Sequence, residues 1–117
     1  MPSGGEGATL AAMLHEILRR GDVDAVLLDL GAMSPGAVRW VRHLRASGAR
    51  VSEVTDAGRA AVVPERSIVV ADTPGAVAAA HAGGVAAVIG VAPNGGRAAL
   101  LSAGAAVVVR DLGELLP

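Results

Sequence analysis

Short apolar runs alternate with segments of helical spacing along most of the chain. Five strands are predicted from the runs VDAVLLDL (23–30), ARVSEVT (49–55), SIVVA (67–71), AAVIGV (86–91) and AAVVV (105–109). The first run is apolar almost throughout, which is typical of a strand buried on both faces of a sheet. Because helical segments separate these strands, the pattern predicts a parallel sheet with right-handed crossovers and helices on both faces.

The segment between the first two strands predicts a helix over residues 34–48. Ser34 is a suitable N-cap, and a proline follows it in the first turn, where the missing amide costs nothing. Val38, Val41 and Leu44 fall on one face of this helix and are expected to point into the core.

Further helices are predicted from about Pro74 to Ala82 and near 96–102, and LGELL is expected to form a final turn. A helix before the first strand is indicated from Thr9 to Gly21 by apolar residues at helical spacing: Leu10, Met13, Leu14, Ile17 and Leu18. Residues 1–7 are rich in glycine and are expected to be a flexible N-terminus, followed by a single α/β domain over 8–117.

The composition limits the core and the chemistry that this chain can support. A chain of 117 residues suits one domain, and 52% of its residues are apolar, but Trp40 is the only aromatic side chain. The core is therefore expected to be aliphatic, with Leu27, Val69 and Val88 among its members. Trp40 is most simply a core residue, although a lone tryptophan that faces outward would mark a contact surface. The absence of cysteine excludes disulfides, zinc–thiolate sites and thiol catalysis. A net charge of −1 without a basic run gives no reason to expect nucleic-acid binding.

The apolar pattern also bears on location and on association. No apolar stretch approaches the roughly 20 residues needed to span a bilayer, so no membrane insertion is expected. The start, MPSGGEGATL, has no basic segment followed by an apolar one, and a cytoplasmic location is the expectation. The apolar content is high for so short a chain, which favours a homo-oligomer or a protein partner over an isolated monomer.

Two acids follow strongly apolar strand sequences: Asp29 ends AVLLD, and Asp72 comes directly after SIVVA. Thr55 closes another predicted strand, so all three lie at carboxyl ends, where parallel sheets bind their ligands. Mg²⁺ is commonly held by one or two carboxylates with water and phosphate, which makes Asp29 and Asp72 candidate metal ligands. The alternative is structural: the two carboxylates cap loop amides or pair with arginine, and Thr55 is the N-cap of DAGRAA.

Two other features favour structural interpretations. The segment APNGGRAA (92–99) places glycines before a helix, but it lacks the G-x-x-x-x-G-K-[ST] spacing of a phosphate loop, so a turn and a helix start are expected. The arginines at 39, 42 and 45 form a basic edge on one helix, which is typical of a solvated face.

The segment VVPERSIVVADTPGAVAAAHAGGVAAVIGVAPNGGRAALLSAGAAVVVRDLGELL (62–116) resembles the C-terminal part of the haloacid dehalogenase-like (HAD) superfamily. The nearest group within it is that of the beta-phosphoglucomutase-like phosphatases and mutases. SPGAVRWVRHLRASGARVSEVT (34–55) resembles the segment leading into this family's second motif, and DAVLLDLG (24–31) resembles its first motif. The resemblance covers roughly residues 22 to 116.

This resemblance implies a Rossmann-like three-layer sandwich built on a five-stranded parallel sheet, without the family's cap. Together with the crossover rule, it places strand 23–29 between 50–54 and 67–71, with 86–91 and 105–109 continuing outward. It also implies phosphatase chemistry, in which one carboxylate attacks phosphorus, a second protonates the leaving oxygen and Mg²⁺ neutralises charge.

Matched position by position, the resemblance makes Asp29 the nucleophile, Thr55 the phosphate-binding hydroxyl and Asp72 a metal-binding acid. The sequence departs from the family pattern at four points. Gly31 stands where the acid/base aspartate of the D-x-D motif belongs, and Ala71 stands where relatives usually have another acid. The segment that would carry the phosphate-binding lysine is missing after Thr55, and the chain contains no lysine at all. The cap inserted after the first motif is also absent.

These departures imply a degenerate member of the family. Loss of general-acid catalysis typically lowers the rate by about 10²–10⁴-fold. Arg59 or Arg66 could partly replace the charge of the lysine, but nothing replaces the acid missing at Gly31. Two hypotheses remain open: an interaction or regulatory module with little or no turnover, and a minimal Mg²⁺-dependent phosphomonoester hydrolase that uses Asp29. A phosphorylated small molecule is a candidate ligand in either case.

Overall fold

Five parallel strands form the centre of the protein. The computed structural model describes residues 12, 16, 20, 21, 23–54 and 63–116. The strands are β1 (Ala25–Asp29), β2 (Arg50–Glu53), β3 (Ser67–Ala71), β4 (Ala87–Val91) and β5 (Val107–Val109). Their order in the sheet is β2-β1-β3-β4-β5, and every neighbouring pair is parallel. The predicted strand order and the Rossmann-like α/β class are therefore confirmed.

Helices cover both faces of the sheet. They are α1 (Pro35–Ala46), α2 (Pro74–Ala82) and α3 (Arg97–Ala103), with 3₁₀ turns at Pro64–Arg66 and Leu112–Leu115. Residues 12, 16 and 20 are also helical, and Arg20 pairs with Glu16 at 3.3 Å one turn away. The rest of the predicted N-terminal helix, the segment 1–7 and Thr55 lie outside the described residues. No helix in the described part of the chain is long and apolar enough to cross a membrane.

The sheet separates two apolar clusters, which accounts for the three layers. On one face, α1 and the C-terminal 3₁₀ turn pack against β1, β3 and β4. On the other face, α2 and α3 pack against the same three strands. Leu27, Val69 and Val88 belong to the second face and are only 4%, 5% and 2% exposed. They are directly paired neighbours on three strands, as the sequence predicts.

The buried face of α1 differs from the predicted face by one residue. Trp40 and Leu44 are fully buried, as expected, and Val41 is also in the core, but Val38 is 36% exposed. Ala37 takes its place, because 37, 40, 41 and 44 form the stripe that faces the sheet at helical spacing. The prediction of Val38 as a core residue was wrong, since an apolar residue one position beside the true stripe fits the same period.

The helices α1 and α2 begin with the same sequence pattern, in which a hydroxyl residue precedes Pro-Gly-Ala-Val. Ser34 accepts a hydrogen bond from the Ala37 amide at 3.0 Å, which confirms it as the N-cap of α1. Thr73 accepts one from the Ala76 amide at 3.2 Å in the equivalent position of α2. Each cap satisfies an amide that has no partner inside its helix.

Candidate functional site

The two predicted acids lie at the carboxyl edge of the sheet on neighbouring strands. Asp29 is the last residue of β1 and is paired in register with Ala71, the last residue of β3. Asp72 follows Ala71 directly, so the two acids lie on neighbouring strands and are one residue out of register. The structure thus brings the two acids to one edge, as the apolar runs predict.

The two carboxylates nevertheless line different cavities. Asp29 lines a cavity of about 160 Å³ on the α2 side of the sheet, together with Leu27 and Val69. Asp72 lines a cavity of about 280 Å³ on the α1 side, together with Ser34. We refer to these as the α2-side and α1-side cavities. Successive residues of a strand point to opposite faces, so a shift of one position along the chain separates the two side chains. A common metal point between them stays a prediction.

Gly31 lies against Asp72. Its amide donates a hydrogen bond to Asp72 Oδ2 at 3.0 Å, and a Cβ at this position would be 3.6 Å from the same oxygen. In the position that the resemblance assigns to the acid/base aspartate, the chain therefore offers Asp72 a backbone N–H and no carboxyl group. One oxygen of Asp72 is already used to hold the loop after β1, which is the structural role left open from the sequence.

A third acid, Asp111, stands near the α1-side cavity but is committed to the fold. Ser34 Oγ donates a hydrogen bond to Asp111 Oδ1, and the Gly113 amide donates to Asp111 Oδ2 at 2.7 Å. These contacts tie the C-terminal 3₁₀ turn to the start of α1. Sequence reasoning missed this pair, although the D-x-x-E pattern of Asp111 and Glu114 is a helix-start signal that the structure bears out as a capping box.

Mg²⁺ would find few ligands in this arrangement. Within the described residues, no group of three or more His, Cys, Asp or Glu side chains is close enough to hold a metal ion. Asp29 and Asp72 are the two acids at the paired ends of β1 and β3, and Asp72 already accepts a hydrogen bond. One or two carboxylates can hold Mg²⁺ when phosphate and water complete the shell, so the donor set fits a metal only together with a phosphorylated ligand.

The arginine proposed to replace the missing lysine lies at the wrong end of the sheet. Arg66 immediately precedes β3, where its Nε pairs with Asp24 at 3.1 Å and its Nη2 binds the Gly21 carbonyl. This is the amino edge, opposite Asp29 and Asp72, so Arg66 cannot act as the phosphate-binding cation there. The prediction is wrong because Arg66 precedes β3 and Asp72 follows it, so the whole length of the strand lies between them. Thr55 and Arg59 lie outside the described residues.

Comparison with known proteins assigns no function to these residues. No protein-family model matches the chain, and no curated protein is significantly similar to it in sequence. The fold is therefore established by the structure alone, and the resemblance to the HAD superfamily stays a prediction.

Proposed function

We propose that this protein is a cytoplasmic, degenerate HAD-like domain with little or no phosphatase turnover, which acts as an interaction or regulatory module. The observation that carries the proposal is the contact between Gly31 and Asp72. At the position where the resemblance expects the general acid, the chain has a glycine, whose backbone amide donates to the Asp72 carboxylate.

The missing acid matters because of the leaving group. An alkoxide released from a sugar phosphate is a strong base, and its departure needs a proton in the transition state. The phosphoryl oxygens also need a cation, and the chain has no lysine while Arg66 lies at the opposite edge. The general acid and the lysine of the family pattern are thus both missing from the sequence, which supports a domain that keeps the fold without the turnover.

The interaction role is supported by the apolar composition of the chain. The partner we propose is a second copy of the chain or another protein. Large apolar side chains of the described residues are exposed on several segments: Met33 (40%), Val38 (36%), Val63 (50%) and Leu101 (40%).

The alternative function is a minimal Mg²⁺-dependent phosphomonoester hydrolase with Asp29 as nucleophile. One observation favours it. Within the described residues, the Asp29 carboxylate has no hydrogen-bond or ion-pair partner, and it is half-buried beside the α2-side cavity. A free carboxylate at a strand end is what nucleophilic attack on phosphorus would need, provided that the leaving group departs without a proton.

An aryl phosphate separates the two functions, because its phenolate leaves without general-acid help. We expect the wild-type chain, assayed with p-nitrophenyl phosphate and Mg²⁺, to turn over no faster than Asp29→Asn. Asp24→Asn is the matched control, since Asp24 pairs with Arg66 at the amino edge. Mg²⁺-dependent release of nitrophenol by the wild type and by Asp24→Asn, lost in Asp29→Asn, would favour the hydrolase and overturn the proposal.

A further inference from the structure

A polar cleft lies at the carboxyl ends of β4 and β5, away from Asp29. It has a volume of about 590 Å³ and is formed by the loop that leads into α3 and by the segment that follows β5. Its charged lining residues are Arg97, Arg110 and Glu114, and Asn94 adds an amide. None of these residues belongs to the motifs that the resemblance assigns to the active site.

The cleft has an excess of positive charge that the fold does not use. Within the described residues, neither the Arg97 nor the Arg110 guanidinium has a hydrogen-bond or ion-pair partner, and both residues are exposed. Glu114, by contrast, is engaged: its Oε2 accepts from the Arg110 amide at 2.8 Å and from the Asp111 amide at 3.0 Å. Glu114 thus keeps its negative charge while it serves the C-terminal turn, and two guanidinium groups against this one carboxylate leave the cleft with a net positive charge.

The cleft adjoins the α1-side cavity. Pro93 and Arg110 line both spaces, and Asp72 lines the α1-side cavity. Arg110 thus stands between the cleft and the acid at the end of β3.

We propose that the cleft is a binding site for the phosphoryl group of a small phosphorylated molecule, with Arg97 and Arg110 as its ligands. A guanidinium presents paired N–H donors that match phosphate oxygens, and two of them around one cleft suit a doubly charged group. The site needs neither a metal nor the chemistry of Asp29. It would give a domain without turnover the means to sense a phosphorylated metabolite.

The test is a titration of the ¹⁵N-labelled full chain with inorganic phosphate, without metal and at constant ionic strength. We expect saturable amide shifts confined to residues 94–97 and 110–114, with a dissociation constant on the order of 1 mM. Arg97→Gln and Arg110→Gln should each weaken binding by about tenfold or more, because each removes a charged donor pair. Arg97→Lys keeps the charge but loses the paired N–H donors, so its affinity for phosphate should lie between those of the glutamine variants and the wild type.

Arg39→Gln is the control. Arg39 is exposed on α1 and has no partner within the described residues, so its loss removes the same charge from elsewhere on the surface. This variant should bind phosphate like the wild type. Shifts that do not saturate, or an equal loss of affinity in Arg39→Gln and Arg97→Gln, would overturn the proposal. Because no metal or turnover is involved, the outcome is independent of the phosphatase assays.

Discussion

Gly36→Ala is expected to lower the free energy of unfolding by about 3 kcal/mol or more. Gly36 is buried in the first turn of α1, where an added Cβ would overlap Asp111 Oδ2 and lie 3.2 Å from Gly113 Cα. The Asp111 carboxylate can move away from this Cβ only by breaking its hydrogen bonds with Ser34 and Gly113. The change would thus weaken the contact between the C-terminal turn and α1. Urea unfolding followed by the fluorescence of Trp40 measures it.

Gly75→Ala is the matched control, since Gly75 has the same place in the Pro-Gly-Ala-Val start of α2. A Cβ there would meet nothing within 4 Å. We expect it to be neutral or to stabilise by up to about 1 kcal/mol, because alanine restricts the unfolded chain and favours a helix. Equal midpoints for the two variants would show that α1 and the C-terminal turn are not packed as described.

Trp40→Ala should destabilise the protein by about 3–5 kcal/mol. Trp40 is fully buried and is the only aromatic side chain, so no neighbouring ring can fill the cavity that its removal leaves. Within the described residues its indole Nε1 is also buried without a hydrogen-bond partner. Trp40→Phe removes this unpaired donor and leaves a smaller cavity, so it should cost much less than Trp40→Ala.

Circular dichroism is the readout for both Trp40 variants, because they lose the fluorescent probe. A loss below about 1 kcal/mol for Trp40→Ala would contradict the burial of the ring. A cost for Trp40→Phe as large as that for Trp40→Ala would show that the indole nitrogen has a partner after all.

The sheet could be predicted because its signals are local. SIVVA is apolar throughout, and the strand β3 has the predicted bounds, as has α2 between Thr73 and Gly83. The strand order was predicted from the resemblance together with right-handed crossovers, which leave few arrangements for five parallel strands. The predicted buried face of α1 was wrong at Val38, where the structure buries Ala37 instead. Two adjacent residues of a helix can match the same helical spacing almost equally well.

The candidate site could be predicted only to the level of the sheet edge. Apolar runs locate the strand ends that carry Asp29 and Asp72, but they do not say which face a side chain takes once the strand has ended. The contact between Ser34 and Asp111 joins residues 77 positions apart, so no local pattern could show it. The same holds for the cleft at Arg97 and Arg110, which exists only because β4 and β5 are neighbours.

The central claim is that this domain has kept the fold of a phosphatase and lost its activity. The most direct test is the rate at which the full chain hydrolyses a sugar phosphate with Mg²⁺. We expect the wild type to release no phosphate above the buffer background. Gly31→Asp, which restores the acid, should remain nearly inactive because the lysine is still absent and catalytic groups that act as a unit are not additive. Robust Mg²⁺-dependent release of phosphate by the wild type, abolished in Asp29→Asn, would contradict the degenerate site and establish a working phosphatase.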